Sequence, residues 1–474
     1  MGRKSIPLTE KKKEDVKLLK AADIFKLKRI WIILLAPVSL LLLFASKKSE
    51  DFAENVVGRG IFRAVAFLYS RITGLLPFSL MELGIILSPV IVLAVLIRFF
   101  YVLVKHKNKE KYPFTRGYYA LKWLINILDV ASLAVFLLIV GCTCNYNRTP
   151  FAERYGISMN YSYEKSDADE VLEYIKEYEN THEVAKETYY YADGSSAELT
   201  SLEGQLQIAE TMPKGENKVG DLYVLVLELT QRANEVRERL AKYEDADGVF
   251  RLSLMETEKE WGDLSEKEIY ALKKKRLKKV MKLSKNAVSE LNLKYPTIAK
   301  YLPSPKLIYN TEFMNKIEIV GVFCPFTMEA NVDGAVPDYS IGFTACHELG
   351  HLSGYIKENE ADFIAYLACT NSDDDILLYS GYTEALITAG NALYSSSPEL
   401  FSLARRGYSD AVVRDFTDNS QFWEKYNEKP AAVVANKIND SYIKASGDDN
   451  GVKAYTMVVE LLLAIFREGT YYYY

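Results

Sequence analysis

At 474 residues the chain is long enough for one large domain or two, with room for further elements. A net charge of −5, from 58 basic and 63 acidic residues, argues against a nucleic-acid partner. Five cysteines with no Cys-x-x-Cys pair argue against a thiolate zinc site, and with only four histidines any close pair is informative.

Residues 1–29 form a basic arm (Lys11, Lys12, Lys13, Lys17, Lys20, Lys26, Lys28) that runs straight into IWIILLAPVSLLLLFA at 30–45. That run is near the lower length limit for a membrane helix, with Trp31 near one boundary and Lys47 and Lys48 past the other. A cleaved signal peptide is not expected: the lead-in is long, no small-x-small site follows, and two more apolar segments come next. Those segments lie at 79–104 and 123–142, so residues 30–144 read as a membrane region with three spans. LIVGC, ending at Cys142, resembles a lipoprotein box, but it follows a third span, and lipidation is not the expected reading. The arm and the basic loop 105–117 fall on one side of a three-span protein. This predicts a cytoplasmic N-terminus in the cell membrane, with residues from about 145 onward outside.

Between the first two spans, Arg59, Arg63 and Arg71 stand among apolar residues. A helix lying on the membrane surface and a short helix packed against the spans are both open there. Glu82 and Arg98 are expected near opposite interfaces, reaching water, and Asp129 with Asn126 is expected to serve packing between helices.

Residues 145–300 read as a helical extracytoplasmic region. Its longest helix opens on a capping box, Ser265 to Glu268, and stops before Pro296. The basic run Lys273–Lys279 reads as a solvated face, with anionic lipid or wall polymer as the other reading. From 301 the texture changes: KLIYN and IEIVGVFCPFTMEANV are β-rich, with Pro325 interrupting and Gly321 allowing a bend.

HELGH then places His347 and His351 one helical turn apart on one face, where both imidazoles can reach one metal. Glu348 follows the first histidine, as a general base beside a zinc site does. Thr344 is expected to cap this helix. No histidine is placed to complete the site, since Lys357 occupies the position that a three-histidine motif would use after Gly354. The acids that follow are Glu358 and Glu360. Glu358 has Asp362 four residues on, able to hold a ligand histidine by its other nitrogen, whereas Glu360 has Ile364 there. The reading favours Glu358 and keeps Glu360 as the alternative. Tyr382, Tyr442 and Tyr455 are candidate oxyanion stabilisers among 34 tyrosines.

HELGH followed by E-x-x-A-D resembles the gluzincin zinc peptidases, including membrane-embedded and membrane-tethered ones such as the prenyl-protein protease type. The resemblance implies Glu358 as ligand and Asp362 behind it. More of the chain resembles an uncharacterised bacterial family of membrane proteins, a domain of unknown function. The stretches that carry this are LLPFSLMEL, GVFCPFTMEANV, FTACHELGHLSGY, ENEADFIAYLAC and NDSYIKA with GVKAY. The expected fold is mainly α: a three-helix anchor plus a zincin-like α+β region at 301–474, its small sheet next to the active-site helix. The expected function is a Zn2+ peptidase in the lipid bilayer, hydrolysing exported or membrane-proximal proteins or peptides. A membrane sensor or scaffold with a structural metal, and a zinc amidohydrolase on cell-wall peptides, are the rival readings.

Overall fold

The computed structural model describes residues 19–20, 23–24, 27–105, 114–157, 165–190, 193–215, 218–426 and 457–467. It is mainly helical with two small sheets, and its chain divides into two compact units. One comprises Met1–Leu41 with Leu83–Ile139, the other Leu42–Glu82 with Val140–Tyr474.

Among the described residues, three helical stretches are long and apolar enough to cross a membrane: Arg29–Lys48, Leu80–Lys105 and Arg116–Asn147. The first begins as a tight 3-10 turn, Lys28–Leu34, and continues as α1 (Leu35–Lys48). A wide-turned stretch, Phe52–Phe62, then leads into α2 (Arg63–Thr73). The other two apolar helices are α3 (Leu80–Lys105) and α4 (Arg116–Gly141). Within the first unit the Ser132 hydroxyl donates to the Ile33 carbonyl and accepts from the Ala36 amide. Arg29 bonds Asn126 and lies 3.9 Å from Asp129, so the buried acid pairs between helices as expected.

The connection between the first two membrane-length helices does not behave as a free surface helix. It groups with the second unit, where Ala53, Val57 and Phe62 are fully buried. Glu82, expected to reach water, is also buried there. Its carboxylate accepts from the Tyr309 and Asn310 amides at 3.1 and 2.6 Å, tying the start of α3 to a loop 227 residues away. The two amides meet the acceptor need of the buried carboxylate in place of water.

The second unit continues with the short α5 (Phe151–Arg154), α6 (Lys165–Thr181), α7 (Leu202–Thr211) and the buried α8 (Lys218–Arg239). Between α6 and α7 lies an antiparallel hairpin, β1 (Lys186–Tyr190) and β2 (Ser196–Thr200), which the mainly helical reading of 145–300 did not place. Its signals are local: Thr188, Tyr189 and Tyr190 favour extended chain, and Gly194 at φ +83° makes the turn. α9 (Glu266–Glu290) starts on the expected capping box, Ser265 and Glu268 each accepting the other's amide hydrogen.

A three-stranded sheet follows, β3 (Lys306–Ile308) parallel to β5 (Glu329–Asp333), and β4 (Gly321–Cys324) antiparallel to β5 on the other side. The short helix α10 (Thr311–Lys316) joins β3 to β4, and Pro325 falls in the turn between β4 and β5. After β5 come α11 (Ile341–Leu352), α12 (Glu358–Thr370), α13 (Asp375–Ser396), α14 (Pro398–Arg405), α15 (Asp410–Glu424) and α16 (Val458–Arg467). α11 sits at the centre, packed by α9, α12, α13 and the strands β4 and β5. Thr344 does not cap it. The helix starts a turn earlier, at Ser340, and the Thr344 hydroxyl donates to the Ser340 carbonyl at 3.1 Å.

Candidate metal centre

α11 ends in a turn that folds α12 back beside it. Gly354 takes φ +93°, and the Tyr355 amide returns to the Gly350 carbonyl at 3.2 Å, a glycine stop of the Schellman type. A side chain at 354 would also collide with Arg148 and Phe62. Arg148 donates to the Gly354 carbonyl at 2.8 Å and lies over the Tyr355 ring at 4.7 Å. The charge of Arg148 is met by Glu54 at 2.7 Å, both side chains being buried. A segment between two of the membrane-length helices thus braces the turn that follows the second histidine.

The turn delivers Glu358 to the histidines. Its Oε2 lies 3.2 Å from His347 Nε2 and 3.5 Å from His351 Nε2. One ligand atom from each of these three residues falls within 4.8 Å of the others. The opposite ring nitrogens are engaged: His347 Nδ1 with Asp362 Oδ1 at 2.7 Å, and His351 Nδ1 with the Tyr355 carbonyl at 2.8 Å. With Nδ1 donating in each case, each ring once neutral would offer its Nε2 lone pair to a metal beside Glu358 Oε2. Glu360 faces elsewhere. It is buried and accepts from the Phe151 amide at 2.6 Å, fastening α12 to α5. Two histidine nitrogens, each backed through the other ring nitrogen, and a carboxylate oxygen suit Zn2+ with a position left open.

Glu348 lies beside this group, 4% exposed, and its Oε2 has no hydrogen-bond partner among the described residues. Burial pushes its pKa up to about 7, with the two imidazoles working against the rise. Burial alone would lower the His347 pKa, but Asp362 and Glu358 hold it well above the ordinary histidine value. Burial likewise opposes ionisation of Glu358, yet His351 and His347 keep it below the usual carboxylate range.

These residues line a cleft of about 1760 Å³. β4, an edge strand, forms part of one wall, and residues of α13 and α16 also line the cleft. Gly321 at the head of β4 passes so close to Glu348 that a Cβ there would lie 2.5 Å from Oε1. Gly321 was expected to allow a bend; the fold shows a steric requirement there, visible only across elements.

The candidate oxyanion stabilisers fare differently. Tyr382 is not in the cleft; its charged neighbours are Arg232, Glu235 and Arg239, on or at the end of α8. It fails because the α13 face that carries it turns toward α8. Tyr442 and Tyr455 lie outside the described residues. Sequence reasoning missed Glu384 of α13, which lines the cleft and whose pKa burial, aided by Asp362, pushes to about 7. A lone glutamate in a helix carried no signal.

A family model described as a protein of unknown function (DUF3810) matches residues 58–217 and 188–463. No curated protein and no solved structure matches the chain.

Proposed function

We propose that this chain, which belongs to the DUF3810 family, is a membrane-anchored zinc peptidase of gluzincin type whose zincin-like site lies between α11 and α12. The observation that carries the reading is the convergence of His347, His351 and Glu358 beside a buried, unpartnered Glu348 carboxylate. A purely structural metal site needs no such carboxylate, which is the argument against a sensor or scaffold.

His347, His351 and Glu358 would hold the metal, and Asp362 would fix the ring of His347. When bound, zinc would polarise the scissile carbonyl and make water acidic enough to attack near neutral pH. Glu348 Oε2 takes the proton released by the attacking water and gives it to the departing amine, so that water is added across the C–N bond. A carboxyl near pH 7 in its pKa suits both transfers. An extended peptide fits along the free edge of β4, pairing main chain to main chain. In this reading the basic arm and the 105–117 loop, rich in lysine, would lie on the cytoplasmic side and the cleft outside, where exported or membrane-proximal chains would be the substrates.

A Glu348→Gln variant tests the reading. It is expected to keep one zinc per chain and to lose cleavage of a peptide library by at least roughly a hundred-fold. Wild-type protein that binds no zinc and cleaves nothing would sink the proposal. Cleavage of wall-peptide amides but of no peptide library would favour the amidohydrolase reading instead.

A further inference from the structure

A second cleft, of about 1170 Å³, lies in the same unit between α9, residues 300–311, and the end of α2 with the turn that follows it. Its lining is rich in cations and contains no carboxylate. Two of the cations are engaged, Lys273 with Asp338 at 2.6 Å and Lys306 with the Leu76 carbonyl. The other five, Arg71, Lys274, Lys278, Lys285 and Lys300, have no carboxylate partner among the described residues.

α9 sorts its basic residues by face. Lys275, Arg276 and Lys279 converge on the buried Glu256 carboxylate. Lys274, Lys278 and Lys285 recur at i, i+4 and i+11, one side of a helix, and face the cleft instead. Unpaired cations gathered in one concavity repel each other and raise the local potential for an anion. Ser289, further along that side, has a buried hydroxyl with no partner among the described residues, free to meet an oxygen.

The remaining lining is amphiphilic. Leu277, Met281, Leu302 and Ile308 are buried apolar residues, while the rim carries Tyr270, Tyr301 and Tyr309 at 58–65% exposed and Leu75 at 85%. Exposed tyrosines beside long lysines are the composition of a membrane interface, where rings sit at headgroup level and ammonium groups meet phosphate. The chain continuity agrees: Pro77 of the lining stands three residues before Leu80, the first residue of the membrane-length helix α3.

We propose that this cleft binds the phosphate headgroup of an anionic phospholipid, with acyl carbons against Leu75 and the tyrosine rings. Lys274, Lys278, Lys285, Lys300 and Arg71 supply the charge, and Ser289 a hydrogen bond. The proposal is independent of the zinc reading.

The test uses the full chain in a non-ionic detergent, titrated with dioctanoyl phosphatidylglycerol and, separately, dioctanoyl phosphatidylcholine. Saturable binding of the anionic lipid is expected. It should weaken roughly ten- to hundred-fold in the variant Lys274→Gln/Lys278→Gln/Lys285→Gln. Phosphatidylcholine should bind both proteins equally weakly, because the spans are the same. Removing mutual repulsion should leave the lipid-free melting temperature of the variant unchanged or raised. If the triple variant does not fold, Lys300→Gln, on an exposed side chain, carries the test with an expected weakening of roughly three- to five-fold. Equal affinity of wild type and variant for the anionic lipid overturns the proposal. So does displacement of the lipid by inorganic phosphate at comparable concentration, which would mark a site for a free anion.

Discussion

Replacing Glu54 by Gln removes the negative half of the buried pair that braces the turn between His351 and Glu358. Glu54 and Arg148 are 0% and 4% exposed, so the substitution strands a guanidinium away from water. Breaking such a pair from one side costs about 3–5 kcal/mol. Arg148 keeps the Gly354 carbonyl and the face of Tyr355, which places the expectation at the lower end, about 3 kcal/mol. Domains of 150–250 residues lose about 2–4 °C per kcal/mol and larger ones less, so a drop of roughly 5–10 °C follows. Thermal unfolding of the full chain in detergent, read by tryptophan fluorescence, measures it. The pH dependence has a definite sign. Burial works against ionisation of Glu54, but its hydrogen bond and charge contact with Arg148 hold the pKa below the ordinary value. Its contribution is therefore present above the ordinary carboxylate pKa and is lost as pH falls through the lowered one. The gap between wild type and variant should narrow on acidification, and Glu54→Gln/Arg148→Met should regain part of the loss. A drop under about 2 °C, or a gap indifferent to acid, would refute the bracing role.

The two acids after the turn should separate cleanly. Glu358→Ala is expected to abolish zinc binding, whereas Glu360→Ala keeps the metal and loses about 1–3 kcal/mol by orphaning the Phe151 amide; metal analysis and melting curves check both. Gly321→Ala would set a methyl 2.5 Å from Glu348 Oε1, so kcat should fall while zinc content holds. An unchanged kcat would mean that Glu348 has room to spare. Burial raises the Asp333 pKa to about 6. Its protonated form is thus favoured by folding, and the associated stability, complete below the unfolded value, is lost as pH rises through about 6. Melting of Asp333→Asn should therefore fall less than wild type between pH 5 and pH 7.5.

The site was legible where its chemistry is local. His347, Glu348 and His351 sit within five residues on one helix, and period alone puts the histidines on one face. Asp362 was readable for the same reason, one turn beyond Glu358 on a second helix. The oxyanion candidates were not, because nothing local distinguishes one tyrosine from another; Tyr382 turned out to point toward α8. Glu384 and Gly321 carried no pattern either, since each matters only through a neighbour on another element.

The same division runs through the fold. Apolar length, capping boxes and helical spacing depend on neighbours within a turn or two, and these determined the three membrane-length helices, the start of α9 and the histidine pair. The spacing to Asp362 favoured Glu358 but left Glu360 open. Tertiary structure decided which of the two meets the imidazoles, because that depends on how sharply Gly354 turns the chain and on what holds it there. The holding partner, Glu54, is 94 residues before Arg148 and lies between two membrane-length helices, in a stretch whose sequence also fitted a helix on the membrane surface. A buried charge finds its partner by proximity after collapse, and no spacing in the chain records that choice.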